Sequence, residues 1–118
     1  FKNFLIISGL DQGDEENLIK KETFEENINM IFTSNKNISE VLINLKKCIF
    51  CIGNDTGFSH LSVAYNKKTF VILGDCPPHT YSNLILPIDK DDAVKRSIDS
   101  IKTIKLEKVL NYLNKHLI

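Results

Sequence analysis

Short apolar runs alternate along the chain with segments whose apolar positions recur at helical spacing, the pattern of βα units feeding a mostly parallel sheet. Phe4-Leu5-Ile6-Ile7, closed by Ser8-Gly9, reads as a first strand, buried because it is short, continuous and β-branched at its end. After the polar loop Asp11-Gln12-Gly13, the stretch from Asp14 to about Glu25 predicts a helix with Leu18 and Ile19 inward and acids in the first turn, where the helix dipole favours them. Ile28 to Phe32 is a second strand, and Asn37 can cap a helix from Ile38 to about Lys47 whose Ile38, Val41, Leu42 and Leu45 make one apolar stripe. Cys48 to Ile52 predicts the third strand. The turn Gly53-Asn54-Asp55-Thr56-Gly57 follows, then a helix from about Phe58 to Tyr65 and the strand Thr69 to Leu73, stopped by Gly74. Asp75 to Asn83, holding Pro77-Pro78, is the longest irregular stretch and is expected at the surface near a ligand. Leu84-Ile85-Leu86 reads as a short edge strand, Asp91 to Ile101 as a weakly patterned helix and Lys105 to Leu117 as a clear amphipathic one.

With 118 residues the chain is expected to form a single domain, residues 1–118, with one real core. Hydrophobic residues at 42% and charged residues at 25% are ordinary globular composition, which argues against disorder and against a small disulfide-stapled scaffold. Fifteen basic residues balance fifteen acidic ones, so there is no net field to hold nucleic acid or an anionic membrane. Arg96 is the only arginine, and the forked donor that reads phosphates and guanines is thus nearly absent; nucleic acid is not expected as a partner. No apolar run approaches the ~18 residues of a membrane span, and three cysteines fit a reducing compartment, so a cytoplasmic location is expected. Phe1 stands where an initiator methionine would be, so a piece of something longer is expected.

The informative stretch is Gly53 to His60. A strand that empties into a glycine-bracketed turn at a helix start leaves backbone N–H groups pointing outward, a ready site for phosphate, and glycine at 57 removes a side chain that would keep an anion away. Asp55 would not touch phosphate, because two anions repel; it is expected to accept hydrogen bonds from the first N–H groups of the helix. Thr56 and His60, four apart on one helical face, can turn a hydroxyl and an imidazole toward the same oxygens. The plainer alternative is that Asn54-Asp55-Thr56 is only a good N-cap and His60 a satisfied boundary histidine.

Asp55-Thr56-Gly57, then His60-Leu61, Ala64 and Lys68 before the strand Thr69 to Leu73 and Gly74, resembles the signature of glycosyltransferase family 9, the ADP-heptose:lipopolysaccharide heptosyltransferases. The resemblance implies the C-terminal half of a GT-B fold: a Rossmann-like parallel sheet with helices on both faces that binds the diphosphate of a nucleotide-sugar donor, with an ADP-sugar favoured. It implies Asp55, Thr56, Gly57 and His60 at the diphosphate, His60 also as stabiliser of the leaving group, and an acid after the first strand, Glu15 or Glu16, on the ribose hydroxyls. For those two acids the helix dipole alone is a sufficient alternative. Gly74 and Asp75 are candidates for a second loop on the donor, although Gly74-Asp75-Cys76-Pro77-Pro78-His79 departs from the family's Gly-Pro-Thr-like turn. Also implied are a glycan or lipid-linked acceptor bound through an N-terminal domain, no catalytic base in this chain, no cofactor, and a place in the cytoplasm at the inner membrane face. A non-catalytic nucleotide-binding or interaction domain of the same fold is the second reading.

Cys48-x-x-Cys51 and Cys76-x-x-His79 have the ligand types of a zinc site. Residues three apart on a strand point to opposite faces, however, so Cys48 and Cys51 would not face one ion, and no metal is expected there.

Overall fold

The computed structural model describes residues 3–7, 12–23 and 27–117. The chain divides into two compact units, Phe1–Cys48 and Ile49–Ile118. The fold class is α/β, with every described strand pair parallel.

In the first unit β1 (Asn3–Ile6) pairs in parallel with β2 (Asn29–Phe32), placing Leu5 beside Ile31 and Ile6 beside Phe32. Between them runs α1 (Gly13–Glu22), whose first turn carries Asp14, Glu15 and Glu16 and whose last carries Lys20 and Lys21, both favourable to the helix dipole. Lys20 lays its ammonium over the Phe32 ring, 4.5 Å from the centroid, and so joins helix to strand. The expected reach of this helix to Glu25 and the closing Ser8-Gly9 and Asp11 lie outside the described residues. α2 (Ile38–Lys47) begins on the expected Asn37, which forms a full capping box: its side chain accepts from the Glu40 N–H at 2.9 Å and its own N–H donates to Glu40 at 3.2 Å. Val41 and Leu45 of the apolar stripe are buried, whereas Ile38 is exposed.

The second unit holds a three-stranded parallel sheet in the order β3 (Phe50–Asn54), β4 (Lys68–Ile72), β5 (Ile85–Ile88). β5 is at the edge, as expected, and an edge is where the missing N–H of Pro87 is tolerated. The β3 strand starts two residues later than expected: Cys48 closes α2 by donating its N–H to Leu45, and Ile49 is left exposed. Gly53 and Asn54 are therefore the end of the strand rather than part of the turn.

α3 (Gly57–Ala64) links β3 to β4 and stops in a Schellman motif, with Asn66 at φ 62° and the N–H groups of Asn66 and Lys67 donating to Val63 and Ser62. α4 (Leu106–Leu117) returns to the sheet, setting Tyr112 edge-on to the fully buried Phe70 at 6.2 Å while Phe50 meets Phe70 from within the sheet at 5.9 Å. Val71, Leu73 and Ile85 form the core cluster, and Val63 and Cys76 pack against it.

The helix expected over Asp91 to Ile101 does not form; turns lead to a short 3-10 helix, Ser100–Thr103. Local side-chain bonds compete with the helical ladder there. The buried Ser100 hydroxyl accepts from the Ser97 N–H and donates to the Lys95 carbonyl, while Arg96 is drawn away to Asp89 and the loop after β4.

Candidate functional site

β3 and β4 are neighbours and parallel, so their C-terminal ends open on the same edge of the sheet. The segment after β3 and the loop after β4 consequently meet, which is where open α/β sheets gather ligand-binding groups. The Asn54 carbonyl, last in β3, accepts from the Ser59 hydroxyl at 2.6 Å, and this bond draws the first turn of α3 back against the strand end.

Asp55 is the centre of the arrangement. Its Oδ1 lies 3.1 Å from His60 Nε2, and its Oδ2 lies 2.9 Å from His79 Nε2 and 3.0 Å from Cys76 Sγ, whose thiol donates. Tyr81 closes the outer side, its hydroxyl 2.6 Å from His60 Nδ1 and its ring stacked on the imidazole at 5.8 Å. The Cys76 thiol and the His79 ring hold the Asp55 carboxyl below the usual carboxylate range, against a smaller opposing effect of burial. The same bond, with some burial, pushes the Cys76 thiol up. The cluster opens to solvent, with His60 and His79 side chains 40% and 39% exposed.

Asp55 does not cap the helix. The N-cap is Thr56, with no side-chain cap bond, because the Asp55 carboxylate is engaged by the imidazoles and the thiol instead. Of the N–H groups opening α3, that of Ser59 donates to the Thr56 carbonyl at 3.0 Å, while those of Gly57 and Phe58 keep the orphan character of a helix start. A Cβ at Gly57 would meet nothing within 4 Å, so the space where a side chain would stand beside those groups is open. Thr56 is exposed beside it. His60 is turned toward Asp55 and Tyr81, so it and Thr56 share the helix's first turn without a bond to each other.

The second-loop candidates fall in the segment that carries Cys76 and His79. The Gly74 carbonyl accepts from Arg96 at 3.4 Å, and Asp75 is exposed. Of the ribose candidates, Glu15 is exposed on α1, whereas Glu16 is buried and accepts from the Ser34 N–H and hydroxyl at 3.3 and 2.9 Å. Both belong to the first unit.

Cys48 donates to the Asn44 carbonyl at the end of α2 and Cys51 lies in β3. Cys76 and His79 are brought instead to Asp55 and His60. Among the described residues, Asp55, His60 and His79 each offer a donor atom within 4.8 Å of the others. Sequence reasoning valued His79 only beside the cysteines and missed Tyr81. The available signal was topological: a polar loop following a strand parallel and adjacent to the motif strand must open on the same edge. A groove of about 540 Å³, lined by Lys105, Lys108, Tyr112 and Lys115 among others, shares no residue with the cluster.

Parallel strands linked through helices, with polar groups gathered where adjacent strands end, define a Rossmann-like α/β protein. The sequence model of glycosyltransferase family 9 (heptosyltransferase) matches residues 6–115, and the chain belongs to that family. Its members' activity is glycosyl transfer between a nucleotide-sugar donor and an acceptor. No curated protein and no solved structure matches the chain. No described helix is long and apolar enough to cross a membrane.

Proposed function

We propose that this chain is a donor-binding domain of a GT-B glycosyltransferase, one that transfers a heptose-like sugar from a nucleoside-diphosphate donor, an ADP-sugar by preference, to a lipopolysaccharide or related glycan. The observation that carries the reading is the junction of β3 and α3: open space at Gly57 beside the N–H groups of Gly57 and Phe58, with His60 held in the same turn by Asp55 and Tyr81. Charge grows on the diphosphate as the sugar leaves, and fixed donors aimed at that charge lower the barrier. The helix N–H groups and the Thr56 hydroxyl are such donors. Asp55 fixes the His60 ring through Nε2–H, so the nitrogen free to meet a phosphate oxygen is Nδ1, which donates to it, in place of the Tyr81 contact, when the ring carries both protons. Acceptor and catalytic base are read as the contribution of a further domain, and the place of action as the cytoplasmic face of the membrane carrying the acceptor.

The test is calorimetric titration of ADP, in EDTA, into the wild-type chain and His60→Ala. A hydrogen bond from imidazole to a charged phosphate is worth ~1.5 to 3 kcal/mol, so affinity is expected to fall on the order of ten- to a hundredfold. The melting temperature is expected to change little, because the ring is substantially exposed. Unchanged affinity in a folded variant removes His60 from the site.

A further inference from the structure

Three groups with the chemistry of metal ligands, Asp55, His60 and His79, converge on one point of the second unit, and the Cys76 thiol stands against the Asp55 carboxylate beside them. His60 Nε2 and His79 Nε2 approach the two oxygens of Asp55 at 3.1 and 2.9 Å, and Cys76 Sγ lies 3.0 Å from Oδ2. We infer that Asp55, His60 and His79 bind a divalent ion of the zinc class, with the Cys76 thiolate as fourth ligand.

Donor chemistry selects the ion. Two imidazoles, a carboxylate and a thiolate suit zinc and its borderline neighbours, while magnesium and calcium prefer oxygen alone. Scale fits as well. Tetrahedral zinc at its usual bond lengths sets nitrogen and oxygen ligands about 3.4 Å apart. The three donor atoms lie within 4.8 Å of one another, so side-chain rotation closes the remaining gap.

The surroundings favour the same occupant. A ligating histidine characteristically donates its second ring N–H to a neighbour that fixes its tautomer, and Tyr81 Oη stands 2.6 Å from His60 Nδ1, ready to accept it. Exposed Asp75 adds negative charge next to Cys76. The nearby cation, Arg96, is already neutralised by Asp89 at 2.6 Å. Proton balance is simple: each imidazole moves its proton from Nε2 to Nδ1, and the thiol gives one proton to solvent as the sulfur–metal bond forms. The loop that supplies Cys76 and His79 is also where the sequence departs from the glycosyltransferase resemblance, so this site does not follow from the proposed donor function and stands or falls separately.

The experiment uses zinc chloride alone, without nucleotide, titrated into the metal-stripped chain by calorimetry, with cobalt as a spectroscopic substitute. One ion per chain is expected, with proton release. Magnesium is expected to give no heat at the same concentration. His79→Ala, which removes an exposed ring, is expected to weaken zinc on the order of a hundredfold, and Tyr81→Phe, which removes the outer acceptor, roughly tenfold or more. Cobalt is expected to show tetrahedral visible bands plus a near-ultraviolet sulfur-to-metal band that Cys76→Ser abolishes. Thermal melts in EDTA check that each variant folds. Absence of stoichiometric zinc binding by the wild-type chain, or equal affinity in folded His79→Ala, overturns the assignment and leaves the four groups as a hydrogen-bonded clamp. Absence of the sulfur band removes Cys76 from the set and overturns that part. A nucleotide response measured in EDTA is unaffected by any of these outcomes, so the two readings fail independently.

Discussion

Arg96 reaches three partners with one guanidinium: both oxygens of Asp89, at 3.1 and 2.6 Å, and the carbonyls of Cys76 and Gly74 at 2.8 and 3.4 Å. The pair is how the loop bearing Cys76 and His79 is anchored to the end of β5. The Arg96 guanidinium holds the Asp89 carboxyl below its usual range. Asp89→Asn is therefore expected to cost about 1 to 3 kcal/mol at neutral pH, the range for a hydrogen-bonded charge that loses its partner. The sign follows from linkage: a carboxyl depressed in the folded state stabilises fully above its unfolded pKa of about 3.9, and that stability is lost as pH falls through the lower folded value. Thermal unfolding of both proteins from pH 7 down to pH 2 should show a gap that narrows below about pH 4. A gap of constant size would mean that the carboxylate's charge is not what holds the loop. Asp55 teaches a complementary lesson about reading residues. Its place in a strand–turn–helix motif made it visible in the sequence, but its partners could not be read there, since two of the three come from a loop more than twenty residues away.

Among the elements, α2 and α3 were legible because local chemistry specifies them: Asn37 at a cap position before an apolar stripe, and a glycine-bracketed turn before a short helix. The limits of β3 were not. Cys48 and Ile49 continue an apolar run that periodicity assigns to the strand, and only the hydrogen bond that closes α2 shows otherwise. Residues 91–101 failed for another reason. Their helix formers are overruled by serine hydroxyls bonding to backbone and by the pull of Asp89 on Arg96, neither of which a helical-period pattern registers. The capping box of α2 gives a direct check on the legible part. Asn37→Ala removes the acceptor for the Glu40 N–H, and urea denaturation should show a loss of about 1 kcal/mol, within the ~0.5 to 2 kcal/mol usual for such caps. A loss below about 0.3 kcal/mol would indicate that the helix start is held by its surroundings instead.

Among the described residues the parallel strands fall in two sheets, β1–β2 in one compact unit and β3–β4–β5 in the other, within the α/β class that the alternation of strand and helix predicts. Alternation of strand and helix fixes class and parallel pairing, but the pattern within each run carries no information on where one sheet stops and another begins. The described cluster lies wholly in the unit Ile49–Ile118, and the proposed diphosphate contacts are all drawn from that unit. The most direct measurement is a thermal-shift panel of ADP, UDP, GDP and CDP at millimolar concentration in EDTA. A ligand that binds only the folded chain stabilises it by about 2.7 kcal/mol at a hundred times its Kd. The expected result is a rise in melting temperature with at least one nucleoside diphosphate, ADP foremost, reduced in His60→Ala. No shift with any of the four, in a chain that unfolds cooperatively, would contradict the donor-binding account.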